Sequence, residues 1–238
     1  MAETWNKAAD VRRHQIESGV DITFCKVFIP FFEEIVKQLN PSTILEVGCG
    51  TGHLSAKLAT NERKMQAIDP SENMCSLAFE ILNEKSVKLE KCFIEDFTST
   101  EKFDLILSHM CVQTVSDLES FFSSISCFLS GNSTFIFSLP HPCFYNNYKS
   151  FFKDSEYIYM KPNSKSITLT ITKDPERPID DIPYNHRPLS HYIKALATSG
   201  MYLKDMDEIF PEKSIQMLYG KLWKEPRYLV IHATLDHK

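Results

Sequence analysis

Three closely spaced glycines and two acidic residues form the pattern in this sequence that could do chemistry. The glycines are Gly48, Gly50 and Gly52, directly after a short apolar run. Glycines here allow a tight turn from a strand into a helix and let a ligand approach the backbone. Glu46 lies two residues before the first glycine, and Asp69 follows 23 residues after Glu46. An acid at about this offset binds ribose hydroxyls in nucleotide-binding βα units.

The charge of Glu46 indicates which nucleotide the turn suits. A carboxylate at this position would repel a pyrophosphate, whereas it would attract an ammonium group. An amino group plus a ribose describes S-adenosylmethionine better than NAD. The dinucleotide pattern also requires glycine at position 53, where this chain has His53. The residues therefore favour S-adenosylmethionine as the cofactor and make an NAD-dependent dehydrogenase the least supported class of enzyme.

The elements that position these residues alternate between strand and helix. The apolar patterns predict helices over residues 5–19, 24–39, 53–59, 72–82, 117–129 and 189–198. They predict strands over residues 43–47, 64–68, 87–93, 103–107, 133–139, 202–207 and 228–235. Ser71 is the expected N-cap of the helix at 72–82. This alternation predicts an α/β fold with a Rossmann-like, doubly wound sheet and right-handed crossovers.

The alternation stops between Pro140 and Arg187. This segment contains six prolines and one alternating stretch, residues 166–172, that predicts a strand. A connection of this length is typical of an active-site lid. Four parts are therefore expected: an N-terminal helical cap at 1–40, a cofactor-binding core at 41–139, a substrate-capping insertion at 140–187, and the C-terminal part of the core sheet at 188–238. Residues 213–223 are left without an assignment.

Charge and cysteine usage restrict the choice of partners. The 238 residues carry a net charge of −5 and have an isoelectric point near 5.9. An acidic surface without a basic stripe repels a phosphate backbone, so no nucleic acid partner is expected. Seven dispersed cysteines without zinc-ligand spacing favour reduced thiols and no metal site. No signal peptide or membrane-length apolar run is apparent, which predicts a soluble cytoplasmic protein. The oligomeric state stays open.

Three segments of the predicted core resemble class I S-adenosylmethionine-dependent methyltransferases. They are Glu-Val-Gly-Cys-Gly-Thr-Gly at 46–52, Ala-Ile-Asp-Pro-Ser at 67–71 and Phe-Asp-Leu-Ile at 103–106. The resemblance covers about residues 25–139. Residues 138–144 and 184–190, with the helix at 192–200, are similar to a bacterial small-molecule branch of that family. The resemblance implies seven strands, the last of them antiparallel and inserted beside the sixth.

The resemblance also implies which residues contact the cofactor. Those at its methionine end are Glu46, Gly48 and Gly50, with Cys49 inside the turn. Asp69 would hold the ribose hydroxyls. The adenosine side comprises Pro70, Ser71 and Met74, and then Phe93, Ile94 and Glu95, while Ser108, His109 and Met110 would lie beside the sulfonium. Many relatives have aspartate in place of Phe93, so adenine recognition departs from the family pattern here. Cys49 as a small apolar residue, Met74 as helix core and Glu95 as a solvated turn residue remain alternatives.

Five residues are candidates for acting on the methyl acceptor. Positioning alone supplies about 7–11 kcal/mol to a displacement, but a hydroxyl or protonated amine acceptor also needs a general base. His109 follows the predicted fourth strand, and His141 lies in a rigid Pro-His-Pro turn. Tyr184, His186 and Arg187 lie where the insertion rejoins the core, and Arg187 could pair with an acidic group of the acceptor. A hydrogen-bonded structural role is the alternative for each histidine.

Two further groups of residues bear on the acceptor. The insertion is rich in aromatic residues, which favours an aromatic or planar small molecule, or else only the core of a lid. We interpret His53, His232 and His237 as structural or exposed.

The predicted function is a methyltransferase that transfers a methyl group from S-adenosylmethionine to an O or N atom of a small molecule, leaving S-adenosylhomocysteine. The alternatives are an S-adenosylmethionine-binding protein with other chemistry, a methyltransferase acting on protein or tRNA, and a non-catalytic module.

Overall fold

The structure is a computed structural model that describes residues 2–236. Its α-helices are α1 Ala2–Glu17, α2 Ile29–Leu39, α3 His53–Leu58, α4 Glu72–Leu82, α5 Leu118–Ser126, α6 Tyr145–Lys149, α7 Leu189–Thr198 and α8 Lys213–Leu218. Its strands are β1 Thr43–Val47, β2 Lys64–Ile68, β3 Val87–Glu90, β4 Leu105–His109, β5 Thr134–Pro140, β6 Asn163–Ile171, β7 Asp174–His186, β8 Met201–Ile209 and β9 Tyr228–Leu235. A π-helix, Thr23–Phe28, and a 3₁₀ helix, Val112–Thr114, complete the elements.

Seven strands form one sheet in the order β3-β2-β1-β4-β5-β9-β8. The pairs β1–β2, β2–β3 and β4–β5 are parallel, whereas β9 is antiparallel to both β5 and β8. The last strand thus inserts beside the strand that precedes it, as predicted. This confirms the Rossmann-like doubly wound fold with an antiparallel last strand. Strands β6 and β7 pair separately as a two-stranded ribbon.

The chain divides into two compact units. The first contains the chain through Phe93 together with Thr168–Ile182 and Pro211–Trp223. Its core includes strands β1 and β2, where Ile44, Leu45, Ala67 and Ile68 are buried, because strands covered on both faces are mostly apolar. The second contains Ile94–Ile167, Pro183–Phe210 and the chain from Lys224 onward.

The core of the second unit is aromatic. Phe122 of α5 packs against Phe135 and Phe137 of β5, with ring centroids 5.7 and 5.2 Å from its own. All three side chains are completely buried. Rings of this size contribute strongly to apolar burial, and their tilted packing adds to it. This cluster fixes β5, whose carboxyl end leads to the candidate histidine at position 141.

The segment predicted as one helix over residues 24–39 is instead a π-helix followed by α2. The amide of Ile29 donates to the carbonyl of Phe24, five residues back, as in a π-helix. Pro30 has no amide hydrogen, so the regular α-helical pattern cannot run through this point. Periodicity alone did not reveal this change.

The second ribbon strand, β7, was not predicted, although the strand at 166–172 was. It contains Pro175, Pro178 and Pro183, which argue against a strand in the middle of a sheet. A two-stranded ribbon leaves one edge of each strand without a partner, so prolines are accommodated there. Residues 213–218, which had no assignment, form the short helix α8.

Two strands differ in their ends in a way that matters for the site. Strand β4 runs two residues further than predicted, so His109 is its last residue. It begins two residues later than predicted, at Leu105, and the amide of Phe103 donates to the carbonyl of Phe128, just after α5. Strand β3 ends at Glu90, three residues early, and leaves Phe93 outside the sheet.

Candidate active site

The glycine turn after β1 adopts the left-handed conformation at all three glycines. Gly48, Gly50 and Gly52 have φ angles of 76°, 54° and 78°. A Cβ on Gly52 would lie 3.0 Å from the Cβ of Ala78, so this glycine is required for packing against α4. A Cβ on Gly50 would meet only the sulfur of Met74, at 4.0 Å. The turn therefore leaves space beside Gly50, where a ligand can approach the backbone.

Asp69 holds this turn to the start of α4. Its two carboxylate oxygens accept hydrogen bonds from the amides of Gly50, at 2.8 Å, and Ser71, at 2.9 Å. Burial raises the pKa of the carboxyl above its ordinary value, and the two backbone hydrogen bonds oppose that rise. The carboxylate thus joins the ends of β1 and β2, and its remaining lone pairs can accept hydrogen bonds from ligand hydroxyls.

Glu46 is the second acid of the turn and is almost completely buried. Its carboxylate accepts a hydrogen bond from the hydroxyl of Ser55 on α3, a partner that the sequence did not indicate. Burial raises the pKa of Glu46 to about 7; the Ser55 hydrogen bond opposes this, and the nearby charge of Asp69 adds to it. A buried acid with such a pKa is a characteristic of functional sites, because a cationic ligand group would restore its ionised form.

The other predicted cofactor residues of the first unit differ in their burial and contacts. Cys49 is buried, and burial raises the pKa of its thiol well above the ordinary value, which is typical of an inert side chain. The Ser71 hydroxyl accepts from the amide of Met74, which confirms Ser71 as the N-cap of α4. Met74 is buried beneath Gly50, and Pro70 is half-buried. Phe93 is 42% exposed, so its ring offers an apolar surface.

In the second unit, Ser138 organises the end of β4. Its hydroxyl lies 2.7 Å from Nδ1 of His109 and accepts from the amide of Met110 at 3.0 Å. Met110 has a φ angle of +50°, a conformation that non-glycine residues rarely adopt and that is common at functional sites. Ser108 is completely buried. Of the predicted adenine-side residues in this unit, Ile94 is buried, whereas Glu95 is exposed.

His141 has both ring nitrogens engaged in hydrogen bonds. Its Nδ1 accepts from the amide of Cys143 at 3.2 Å, so its Nε2 carries the proton and donates to the carboxylate of Glu208 at 3.0 Å. Burial lowers the pKa of the imidazole, and Glu208 opposes this. The ring also packs against Phe144, with centroids 4.6 Å apart. This arrangement suits a residue that holds the turn after β5.

His186 differs from His141 in its hydrogen bonding, because one of its ring nitrogens donates to a backbone carbonyl. Its Nε2 donates to the carbonyl of Tyr159 at 2.9 Å, which assigns the neutral tautomer with its lone pair on Nδ1. The ring is buried among Phe152, Tyr157 and Tyr159, with centroids 4.9 to 6.1 Å away. Burial lowers the pKa of His186, so the imidazole is neutral at pH 7 and able to accept a proton.

Tyr184 packs against an aromatic ring, and Arg187 bonds to backbone carbonyls. Tyr184 is buried against Phe151, and burial raises the pKa of its hydroxyl far above the ordinary value, so it stays protonated at neutral pH. The guanidinium of Arg187 donates to the carbonyls of Val115 and Ser116 at 2.6 and 2.9 Å. It therefore clamps the loop that follows β4.

Asn185 completes this clamp and was not among the predicted site residues. Its Nδ2 donates to the carbonyls of Gln113 and Val115, both at 3.1 Å, and its Oδ1 accepts from Ser164 at 2.7 Å. Its position between His186 and a tyrosine was the only signal in the sequence, and amide side chains of this kind occur on many surfaces. Asn185, Arg187 and the loop after β4 thus form one polar network within the second unit.

Two of the three histidines that the sequence marks as structural or exposed have side-chain hydrogen-bond contacts. Nδ1 of His53 lies 2.8 Å from the Thr51 hydroxyl, and Nε2 of His232 lies 2.8 Å from the carboxylate of Asp207 on the neighbouring strand. His237 lies outside the described residues. Across residues 2–236, no group of three or more histidine, cysteine or acidic side chains is arranged to bind a metal ion. None of the helices in that range has the length and apolarity needed to cross a bilayer.

The fold and the glycine turn together define a class I methyltransferase-type α/β protein. The chain is similar over 97% of its length to an S-adenosylmethionine-dependent methyltransferase from Clostridium acetobutylicum, of which it covers 98%, with a TM-score of 0.68 and 20% sequence identity. The family model described as a methyltransferase domain matches residues 40–180, more than half of the chain. The protein therefore belongs to the methyltransferase domain family, as the sequence predicted.

Curated relatives give a further measure of similarity. An uncharacterized methyltransferase of Bacillus velezensis is 31% identical over 121 residues, which are 50% of this chain and 55% of that protein. A malonyl-[acyl-carrier protein] O-methyltransferase of Priestia megaterium is 32% identical over 124 residues, which are 50% of this chain and 40% of that protein. The chain thus spans about half the length of the curated relatives that it matches, or less.

Proposed function

We propose that this protein binds S-adenosylmethionine at the turn after β1 and transfers its methyl group to an O or N atom of a small molecule. The observation that carries the proposal is the pair of buried carboxylates, Glu46 and Asp69, at a glycine turn with space beside Gly50. A turn without a ligand would have no use for two buried acids, because burying a charge is costly. Membership of the methyltransferase domain family supports the same conclusion.

The two acids suit the two polar ends of this cofactor. Glu46 would bind the ammonium of the methionine part, and Asp69 would accept hydrogen bonds from the ribose hydroxyls. When bound, S-adenosylmethionine supplies a methyl group on a positively charged sulfur. Pro70, Met74 and the exposed ring of Phe93 offer apolar contacts for the adenine, and the absence of an acid at position 93 assigns purine recognition to packing and backbone groups.

We further propose His186 as the general base. Its hydrogen bond to the Tyr159 carbonyl fixes the tautomer whose Nδ1 can accept a proton, and its lowered pKa keeps it neutral. The acceptor's lone pair forms the new bond to the methyl carbon, the electron pair of the carbon–sulfur bond stays on the sulfur, and the acceptor's proton passes to the imidazole. His109 is the second candidate base, since it ends β4 and the carboxyl ends of strands are where open α/β sheets bind ligands.

Tyr184, His141 and Arg187 have positioning roles in this proposal. His141 has no lone pair left for an acceptor, Tyr184 keeps its proton, and Arg187 holds the loop after β4. The aromatic residues around His186 favour a planar or partly apolar acceptor. The Priestia relative is named for O-methylation of a malonyl group on acyl-carrier protein, so a carboxylate attached to a carrier is the second acceptor class to test.

Calorimetric titration with S-adenosylmethionine tests the cofactor site. We expect binding in the micromolar range by the wild type, a loss of at least about 100-fold in Asp69→Ala, and wild-type binding in Asp205→Ala, where an exposed carboxylate on β8 is removed. Release of S-adenosylhomocysteine is then measured with phenols, amines, small carboxylic acids and an acyl-carrier thioester. Absence of binding by the folded wild type would refute the proposal, and binding without transfer to any acceptor would refute the enzymatic part.

A further inference from the structure

Asn6 of helix α1 contacts the start of α4 through its side chain and its backbone carbonyl. Its Oδ1 accepts from the hydroxyl of Ser71 at 2.7 Å and from the amide of Asn73 at 3.0 Å, and its carbonyl accepts from the Asn73 side chain at 3.0 Å. The first amides of a helix lack partners within the helix and need a cap. The hydroxyl of Ser71, the N-cap residue of α4, accepts from the amide of Met74. The side chain of Asn6, on helix α1, accepts from the amide of Asn73, the second residue of α4.

The contact with Ser71 continues to the candidate cofactor acid. The amide of Ser71 donates to one oxygen of Asp69, and the amide of Gly50 donates to the other. Ser71 is completely buried, and its hydroxyl donates to Asn6 while it accepts from Met74. A chain of hydrogen bonds therefore runs from helix α1 through Ser71 to one oxygen of Asp69, whose other oxygen accepts from Gly50.

Helix α1 is also held on this unit independently of Asn6. Arg13 forms an ion pair with Glu80 of α4 at 2.7 Å. Gln15, which is completely buried, donates to the carboxylate of Asp174 at 3.4 Å and to the carbonyl of Arg177 at 3.2 Å. Loss of the Asn6 side chain alone should therefore leave the helix docked and change only the cap.

We propose that Asn6 is a positioning residue for cofactor binding, which sets the geometry of Asp69 through Ser71. This inference rests on the proposed role of Asp69 and goes beyond it, because it assigns a function to a residue of the N-terminal helix that lies outside the segments resembling the family core. The carboxylate can accept two ribose hydroxyls only while its own orientation is fixed. An acceptor oxygen at position 6 supplies that restraint.

Three variants test the inference by calorimetric titration with S-adenosylmethionine and S-adenosylhomocysteine. Asn6→Ala removes the acceptor and is expected to raise both dissociation constants about tenfold. Asn6→Asp keeps an acceptor oxygen and should bind within about twofold of the wild type. Arg13→Ala removes the ion pair between the same two helices without touching Ser71 and should also bind within about twofold.

The outcomes separate this inference from the cofactor site itself. Wild-type affinity in Asn6→Ala, with binding lost in Asp69→Ala, would overturn the role of Asn6 and leave the site intact. Equal weakening in Asn6→Ala and Arg13→Ala would also overturn it, because helix docking in general would then be responsible. Undiminished binding in Asp69→Ala would instead refute the proposed site. A double-mutant cycle of Asn6→Ala with Asp69→Asn should show non-additive effects, since the residues act through one chain of contacts.

Discussion

Replacing Glu46 with glutamine should stabilise the ligand-free protein at alkaline pH while weakening its affinity for S-adenosylmethionine. Glutamine has nearly the same shape and can still accept the hydrogen bond from Ser55, but it carries no charge. The substitution thus mimics the protonated acid. It removes the cost of burying a carboxylate and also removes the partner of a ligand ammonium.

The size of the effect follows from the pKa. Burial raises the pKa of Glu46 from 4.5 to about 7. Below pH 4.5 the acid is protonated in both the folded and the unfolded chain. Between these values the folded state retains a proton that the unfolded state has lost, so the free energy of unfolding decreases as the pH rises, and the full loss is reached above pH 7. At about 1.4 kcal/mol for each pKa unit, that loss is up to about 3 kcal/mol, and Glu46→Gln avoids it.

Urea unfolding at pH 5 and pH 8 measures the difference. Wild type and Glu46→Gln should be similar at pH 5, whereas at pH 8 the variant should be more stable by up to about 3 kcal/mol. Glu62→Gln, at an exposed position, is the control and should show no such change. The dissociation constant for S-adenosylmethionine should rise about 10- to 100-fold in Glu46→Gln, as expected when a charge-assisted hydrogen bond is lost. A variant that is less stable than the wild type at pH 8 would refute the reasoning.

Two further predictions concern the turn and the base. Gly52→Ala should lower the free energy of unfolding by about 2–4 kcal/mol, because it combines a left-handed φ angle with a Cβ 3.0 Å from Ala78. Gly50→Ala, whose Cβ would meet only the Met74 sulfur at 4.0 Å, should cost less in urea unfolding. Equal costs would contradict the packing argument. His186→Gln should reduce kcat about 10²- to 10⁴-fold, and wild-type activity should rise with pH through a pKa below 6.5, whereas His232→Gln should be near wild type in both. An unchanged kcat in His186→Gln would transfer the role of base to another residue.

Local sequence patterns made the elements around the glycine turn predictable. The strands at 43–47 and 64–68 and the helix at 72–82 have the predicted bounds, because short buried strands and a serine-capped helix leave clear patterns. Gly48, Gly50 and Gly52 indicated a turn because each needs a backbone conformation that other residues avoid. The acids at positions 46 and 69 then indicated the ligand through their charge. All of this information lies between residues 43 and 82.

The partners of these residues could not be predicted in the same way. Ser138 organises the end of β4 from 28 residues further along the chain, and Asn185 holds the loop after β4 from 70 residues away. Asn6 reaches Ser71 across 65 residues. Serine and asparagine occur on most surfaces, so nothing in their types marks them, and the choice between a structural and a catalytic histidine was likewise open.

The sequence by itself determined the class of fold, the glycine turn and the two acids that we propose as cofactor ligands, since these depend on backbone conformation, periodicity and charge over short stretches. Only the tertiary structure decided which histidine retains a lone pair, which loops are clamped and which helix caps its neighbour. The physical reason is that a hydrogen bond requires two groups within about 3 Å, and chain folding alone brings distant residues to that distance.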